Sequence, residues 1–246
     1  MLLKTNEEIA IIQQGADILS KLHKILETYL KPGITTAKLD QIAETFIHDH
    51  HAIPSFKGYN GYPATLCTSV NEEVIHGTPS NYHLKEGDII SIDCGVYYQG
   101  YHTDAATTHP IGNVTKELLN LLTQTKKALY LAIEKTTTHN TIQDIGHTIQ
   151  QHIEKNQYNI IKEYGGHGIG KSLHEEPNIP NYGNPHQGQK LKNGMVIAIE
   201  PLASIGNGHI IEHDWIVVTH DKKPAAHFEH TIAIVNDQPK ILTSHL

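Results

Sequence analysis

The chain opens on a helical period. Ile9, Ile12, Ala16, Leu19, Leu22, Leu26 and Tyr29 recur at three- and four-residue spacing, which gathers them on one face of a helix. Thr5 and Glu8 have the spacing of a capping box at its start. Lys31-Pro32-Gly33 ends it, because proline has no N–H to continue the ladder. A second helix is expected from about Thr36, with Leu39, Ala43, Phe46 and Ile47 on one side. From Ile53 to Asn113 the pattern changes to short apolar runs broken by glycine and proline, which predicts strands and turns. Helical spacing returns from Thr115 to Lys135 and from Thr141 to Lys155, and a second strand-and-turn region runs from Tyr158 to the end.

The pattern also repeats. Leu84-Lys85-Glu86-Gly87-Asp88-Ile89-Ile90-Ser91-Ile92-Asp93 aligns with Leu191-Lys192-Asn193-Gly194-Met195-Val196-Ile197-Ala198-Ile199-Glu200 at an offset of 107, with five of ten positions identical. Leu39, Ala43 and Ile47 match Ile145, Ile149 and Ile153 at an offset of 106. Both strand segments end on a carboxylate. The expectation is a mixed α/β (α+β) fold of two related αβ halves about a pseudo-twofold axis, one carboxylate from each half meeting at the centre. No Gly/Ser linker or low-complexity tract divides the chain, so residues 1–246 are expected to form a single domain with halves of roughly 1–110 and 111–246.

Composition narrows the function classes. Apolar residues make up 38% of 246, and no run approaches the ~20 apolar residues that span a bilayer. Met1 to Glu8 turns acidic at once and lacks the apolar stretch of a secretory signal. Two cysteines, Cys67 and Cys94, exclude a disulfide scaffold and suit a reducing compartment. A cytoplasmic protein with no membrane partner is the expectation. The balance of 19 basic against 26 acidic residues gives −7, which argues against nucleic acid as the main partner. All 19 basic residues are lysine, so no guanidinium is present to clamp carboxylates. Twenty histidines are too many for abundance to mark a site; position has to.

Four carboxylates border buried strands. Asp93 follows Ile89-Ile90-Ser91-Ile92; Asp104 comes eleven residues later, beyond a turn near Tyr98-Gln99-Gly100 that would return both side chains to one face. Glu200 follows Val196-Ile197-Ala198-Ile199, and Glu229 precedes Thr231-Ile232-Ala233-Ile234-Val235. Two carboxylates ~4 Å apart repel by about 4 kcal/mol at an effective dielectric near 20, and two divalent cations would balance four such charges. Imidazole candidates sit in turns. His167 lies within Gly165-Gly166-His167-Gly168-Ile169-Gly170, where glycine is expected to admit backbone angles closed to other residues. His174 lies in Ser172-Leu173-His174-Glu175-Glu176-Pro177, and His76 in Val74-Ile75-His76-Gly77.

In this order, the stretch from Cys67 to Gly77, the Asp93–Asp104 pair, G-G-H-G-I-G, L-H-E-E-P, I-E-P and E-H-T-I resemble the motifs of type I methionine aminopeptidases over nearly the whole chain. The resemblance implies the "pita-bread" fold and removal of an N-terminal methionine, where the second residue is small, by hydroxide bridging two divalent ions (Co, Mn, Fe or Zn). By position, Asp93 resembles the bidentate ligand of one ion, Asp104 and Glu229 ligands of both, and His167 and Glu200 the ligands completing the other. Glu200 also resembles the proton relay, and His76 and His174 the histidines that contact substrate. Tyr59, Tyr62, Cys67 and Trp215, with Phe56 nearby, resemble the methionine slot. Leu173 stands where an aromatic is usual, Asn60 where histidine is common, and Asp214 where glycine is often found. Implied partners are nascent polypeptide N-termini near the ribosome, met by a monomer. The chain's own Met1 is expected to stay, because Leu2 exceeds the size limit on the second residue. Two alternatives share the fold: a proline-type dipeptidase, which usually carries an added N-terminal domain, and a non-catalytic peptide-binding module.

Overall fold

The structure is a computed structural model that describes residues 3–244; Met1 and Leu2, on which retention of the initiator methionine turns, lie outside the described residues. Helix α1 (Asn6–Tyr29) starts where the capping box predicts: the Glu8 N–H donates to Thr5 Oγ1 at 3.2 Å, and the Thr5 N–H donates to Glu8 Oε2 at 2.9 Å. Helices α2 (Thr36–Asp49), α3 (Lys116–Glu134) and α4 (Ile142–Lys155) follow, each after a threonine N-cap. Helices α2 and α4 are both 14 residues long, at the spacing of the sequence repeat.

The first half carries β1 (Ile53–Pro54), β2 (Leu66–Val70), β3 (Glu73–Ile75), β4 (Ile89–Tyr98) and β5 (Tyr101–Pro110). The second carries β6 (Asn159–Ile160), β7 (Gly165–Gly168), β8 (Glu175–Pro180), β9 (Val196–Ile199) and β10 (Leu202–Ser204). It ends with β11 (Ile210–His213), β12 (Ile216–Thr219), β13 (Ala225–His227), β14 (Glu229–Val235) and β15 (Gln238–Ile241). One antiparallel nine-stranded sheet joins the halves in the order β1-β4-β5-β14-β9-β7-β8, with β2 added on β4 and β15 on β14. The smaller sheets are β13-β10-β6 and β11-β12-β3.

Side chains alternate across a strand, so register decides which residues share a face. The back face of the large sheet, with Ile90, Ile92, Cys94, Val96 and Ala105, packs on Leu19, Leu22 and Leu26 of α1 and Leu39 and Ile47 of α2. Farther along, Ile197, Ile199, Ile232 and Ile234 pack on Leu121 and Leu129 of α3 and Ile145 and Ile149 of α4. The helices thus close one face in two pairs, leaving the other face to line a site. Among the described residues no helix is long and apolar enough to cross a membrane.

Candidate active site

The opposite face carries the predicted residues in one row. In the β4–β5 hairpin Asp93 lies opposite Ala106, and Asp104 is two residues along on the same face. The hairpin turns on Gln99 (φ 48°) and Gly100 (φ 91°) between the paired Tyr98 and Tyr101, a two-residue connection that matches strand twist. Glu229 of β14 also lies opposite Ala106. The next pair on the other side of β14, His230 with Ile199, puts Glu200 beside Glu229 one residue later. Gly168 of β7 pairs with Ile197 of β9, which turns the adjacent His167 to the same face. Asp93 is a mid-strand residue rather than a strand end: β4 runs on to Tyr98.

The glycines around His167 act differently from expectation. None of Gly165, Gly166, Gly168 and Gly170 has a positive φ. Close approach requires them instead: a Cβ on Gly166 would lie 2.1 Å from the Ala198 carbonyl oxygen, and one on Gly168 2.4 Å from that of Glu176. Bare backbone lets β7 nest between β8 and β9. The His167 Nδ1–H donates to the Gly168 carbonyl at 2.9 Å, which leaves Nε2 as the free ligand atom.

Asp104, His167 and Glu229 each offer a ligand atom within 4.8 Å of the others, and Asp93 and Glu200 flank them. Thr231 fixes Asp104: its Oγ1 accepts from the Asp104 N–H at 3.0 Å and donates to the Asp104 carbonyl at 2.8 Å. Asp93 Oδ1, Asp104 Oδ1 and Glu229 Oε1 are buried without a hydrogen-bond partner. Such acceptors are costly unless something satisfies them. Burial pushes the Asp93 carboxyl up to about 7. Burial, and then the neighbouring Asp93 and Glu200 charges, raise Asp104 well above the carboxylate range; burial and then Asp104, Glu200 and Asp93 do the same to Glu229. Burial also opposes ionisation of Glu200, but His227, His167 and His76 outweigh it and hold Glu200 below the usual value. Clustered oxygens lacking donors, with one free imidazole nitrogen, fit divalent cations as ligands.

The row forms the floor of a cavity of about 840 Å³. His76 and His174 line its wall. The His174 ring lies 4.3 Å from that of His167, and His174 Nδ1 is 2.9 Å from the Tyr59 hydroxyl. Burial and then His167 push His174 down to about 4, so it is neutral at pH 7. His76 is also lowered, by burial first. Phe56, Tyr59, Tyr62, Cys67 and Trp215 line the same cavity, with Trp215 edge-on to Tyr62 at 5.5 Å. Leu173 is 2% exposed and joins this wall, as does Asn60 at φ 51°. Asp214, at φ 52°, begins the two-residue turn between β11 and β12, a conformation that glycine takes without strain. His227 was missed by sequence reasoning. It lies in the cavity wall with Nε2 3.5 Å from Glu200 Oε2 and 3.7 Å from Glu229 Oε2. Its two-residue spacing from Glu229 was the available signal, since alternation puts both on one face.

With this floor of carboxylates and imidazole, the chain belongs to metallopeptidase family M24, whose model matches residues 10–236, and divalent-metal dependence comes with the family. Within it the likeness is to type I methionine aminopeptidases. The methionine aminopeptidase of Clostridium acetobutylicum is 48% identical over 99% of this chain and 98% of the relative. The crystal structure of methionine aminopeptidase from Rickettsia prowazekii matches with a TM-score of 0.97 at 34% identity, covering 99% of both chains. Prolidase from Pyrococcus furiosus shares the fold with a TM-score of 0.82 at 24% identity, and the match covers 98% of this chain but 65% of the prolidase. The expected pita-bread fold is the observed one.

Proposed function

We propose that this chain is a methionyl aminopeptidase: it hydrolyses the first peptide bond of nascent proteins and peptides that begin with methionine and have a small second residue. The observation that carries the reading is the row of Asp93, Asp104, Glu229, Glu200 and His167 on the floor of a cavity whose wall is partly apolar. Those five residues would hold two divalent cations, cobalt, manganese, iron or zinc, which would supply an activated water and Lewis-acid polarisation of the scissile carbonyl. With the Tyr59 O–H donating to His174 Nδ1, 2.9 Å away, the proton of the neutral ring is on Nε2. That Nε2–H hydrogen-bonds the carbonyl oxygen as charge develops on it. Glu200, kept ionised by its histidine neighbours, accepts the proton of the attacking water and returns it to the leaving nitrogen. His76 hydrogen-bonds that nitrogen. Phe56, Tyr59, Tyr62, Cys67 and Trp215, with buried Leu173, receive the methionine side chain. Burial raises the Cys67 thiol far above its usual range, so it meets the substrate as an uncharged, soft surface.

Residues 1–246 act as a single catalytic domain of two halves, roughly 1–110 and 111–246. The enzyme works as a cytoplasmic monomer near the ribosome, a setting that two free buried thiols suit. A proline-type dipeptidase is disfavoured by the 48% likeness to a methionine aminopeptidase, and a non-catalytic module by the complete donor set. The test is turnover of Met-Ala-Ser, Met-Pro and Ala-Pro peptides after chelation and reconstitution with each metal. Metal-dependent release of methionine from Met-Ala-Ser is expected. Release from Ala-Pro alone, or turnover indifferent to metal, would overturn the reading.

A further inference from the structure

His227 ends β13, and its backbone is clamped to β5: its N–H donates to Thr108 Oγ1 at 2.9 Å, and that hydroxyl donates to its carbonyl at 2.7 Å. Phe228, the next residue, turns into the core against α3 and α4, so His227 and Glu229 project together into the cavity. The ring is 2% exposed, and Nε2 has no hydrogen-bond partner. The oxygens nearest to it are Glu200 Oε2 at 3.5 Å and Glu229 Oε2 at 3.7 Å. Glu200 follows the end of β9 and Glu229 opens β14, and no arginine exists anywhere in the chain to tie them. Ionised carboxylates only accept hydrogen bonds. With both carboxylates ionised, as ligation of cations requires, a bare ring nitrogen facing them would set lone pairs against lone pairs, whereas an N–H there is shared between them.

We propose that His227 is a positioning residue whose Nε2–H bridges the outer oxygens of Glu200 and Glu229 and holds both carboxylates at the angle that metal ligation and proton relay require. The inference rests on the proposed aminopeptidase reading of the site. It needs only the neutral Nε2–H tautomer. Hydrogen-bond partners behind metal ligands typically contribute 10–100-fold in metal affinity or activity. Apo distances beyond 3.2 Å commonly tighten when a site is filled.

The test compares wild type, His227→Gln, which keeps an N–H donor of similar reach, and His227→Leu, which fills the space without a donor. Cobalt(II) or manganese(II) binding to the metal-free proteins is followed by titration calorimetry, the cobalt(II) absorption bands are recorded, and kcat and KM are measured on a Met-Ala peptide. His227→Leu should bind metal about 10–100-fold more weakly and lose kcat rather than raise KM, and His227→Gln should restore most of both with unchanged cobalt bands. Wild-type affinity and kcat in His227→Leu would overturn the proposal. So would a His227→Gln protein as impaired as His227→Leu, or one with altered cobalt bands, since either result makes the ring nitrogen itself a ligand. If His227→Leu fails to fold, His227→Asn, polar but too short to reach both carboxylates, replaces it under the same criteria. Wild-type protein that binds metal but never cleaves Met-Ala would sink the aminopeptidase reading alone, because the calorimetric comparison still decides the role of His227.

Discussion

Asp104 is where the site's opposing forces meet. Its carboxyl is buried beside Asp93, Glu200 and Glu229, and its backbone is tied at both N–H and carbonyl to Thr231, so it cannot swing away from its neighbours. Asp104→Asn keeps the shape but removes a charge that, on the proposed reading, both cations would share. Metal affinity should fall by more than ~100-fold, beyond what loss of a supporting partner costs, and turnover should vanish; calorimetric titration of the apo protein checks both with one peptide assay. The histidines should divide by role. His167 has its Nδ1 committed to the Gly168 carbonyl, so His167→Ala should weaken metal binding directly. His76→Ala should bind metal nearly as wild type yet lose about 100-fold in kcat, the scale of a positioned proton donor. Equal metal loss in the two variants would contradict that division.

At the scale of elements, β7 depends on the absence of side chains. The Gly166 Cα–H direction faces the Ala198 carbonyl so closely that a methyl would sit 2.1 Å from the oxygen, and both partners are backbone, which cannot rotate aside. Gly166→Ala should therefore cost roughly 3 kcal/mol, the upper range for overpacking, and should displace His167 with its strand. Denaturant unfolding would measure the cost, and weakened metal binding would report the displacement. The β4–β5 hairpin is the contrasting case. Its two-residue turn is readable from Gln99-Gly100 and the length of the flanking runs, and the turn alone sets the register that brings Asp93 and Asp104 to one face.

For the molecule as a whole, acid stability is set partly on the back of the sheet. His23 of α1 is buried against β5, with Nδ1 3.3 Å from Thr107 Oγ1. Thr107 Oγ1 also meets His109 Nε2 at 2.7 Å. Burial, then the charges of His109 and His230 when protonated, push His23 down to about 3, while the Ala105 backbone acts in the opposite direction. A folded value below the unfolded one means that only the unfolded chain takes up this proton between pH 6.5 and 3. The stabilisation is complete above 6.5 and drains as pH falls through that window. By pH 5 the loss is ~2 kcal/mol. His23→Leu should abolish that share, leaving a shallower fall in unfolding free energy between pH 7 and 5 than wild type shows in urea titrations. Parallel pH profiles for the two proteins would disprove it.

Local pattern was enough for the helices, because periodicity, a capping box and a proline stop act within a few residues: Thr5 caps α1 as expected, and α2, α3 and α4 start within one residue of the expected Thr36, Thr115 and Thr141. The repeat at an offset of 106 to 107 made two similar halves legible, and ordered motifs marked the carboxylates and His167 as candidates. Pattern did not reveal why the glycines flank His167, since their constraint is contact with the Ala198 and Glu176 carbonyls, both remote from a local turn. Nor did it single out His227 among twenty histidines. Its proximity to Glu200 arises only when β13 pairs with β10, which sets His227 opposite Leu202, two residues beyond Glu200. Capping and turn formation are short-range and written into neighbouring residues. The spacing of charges is long-range, and pairing between distant strands determines it.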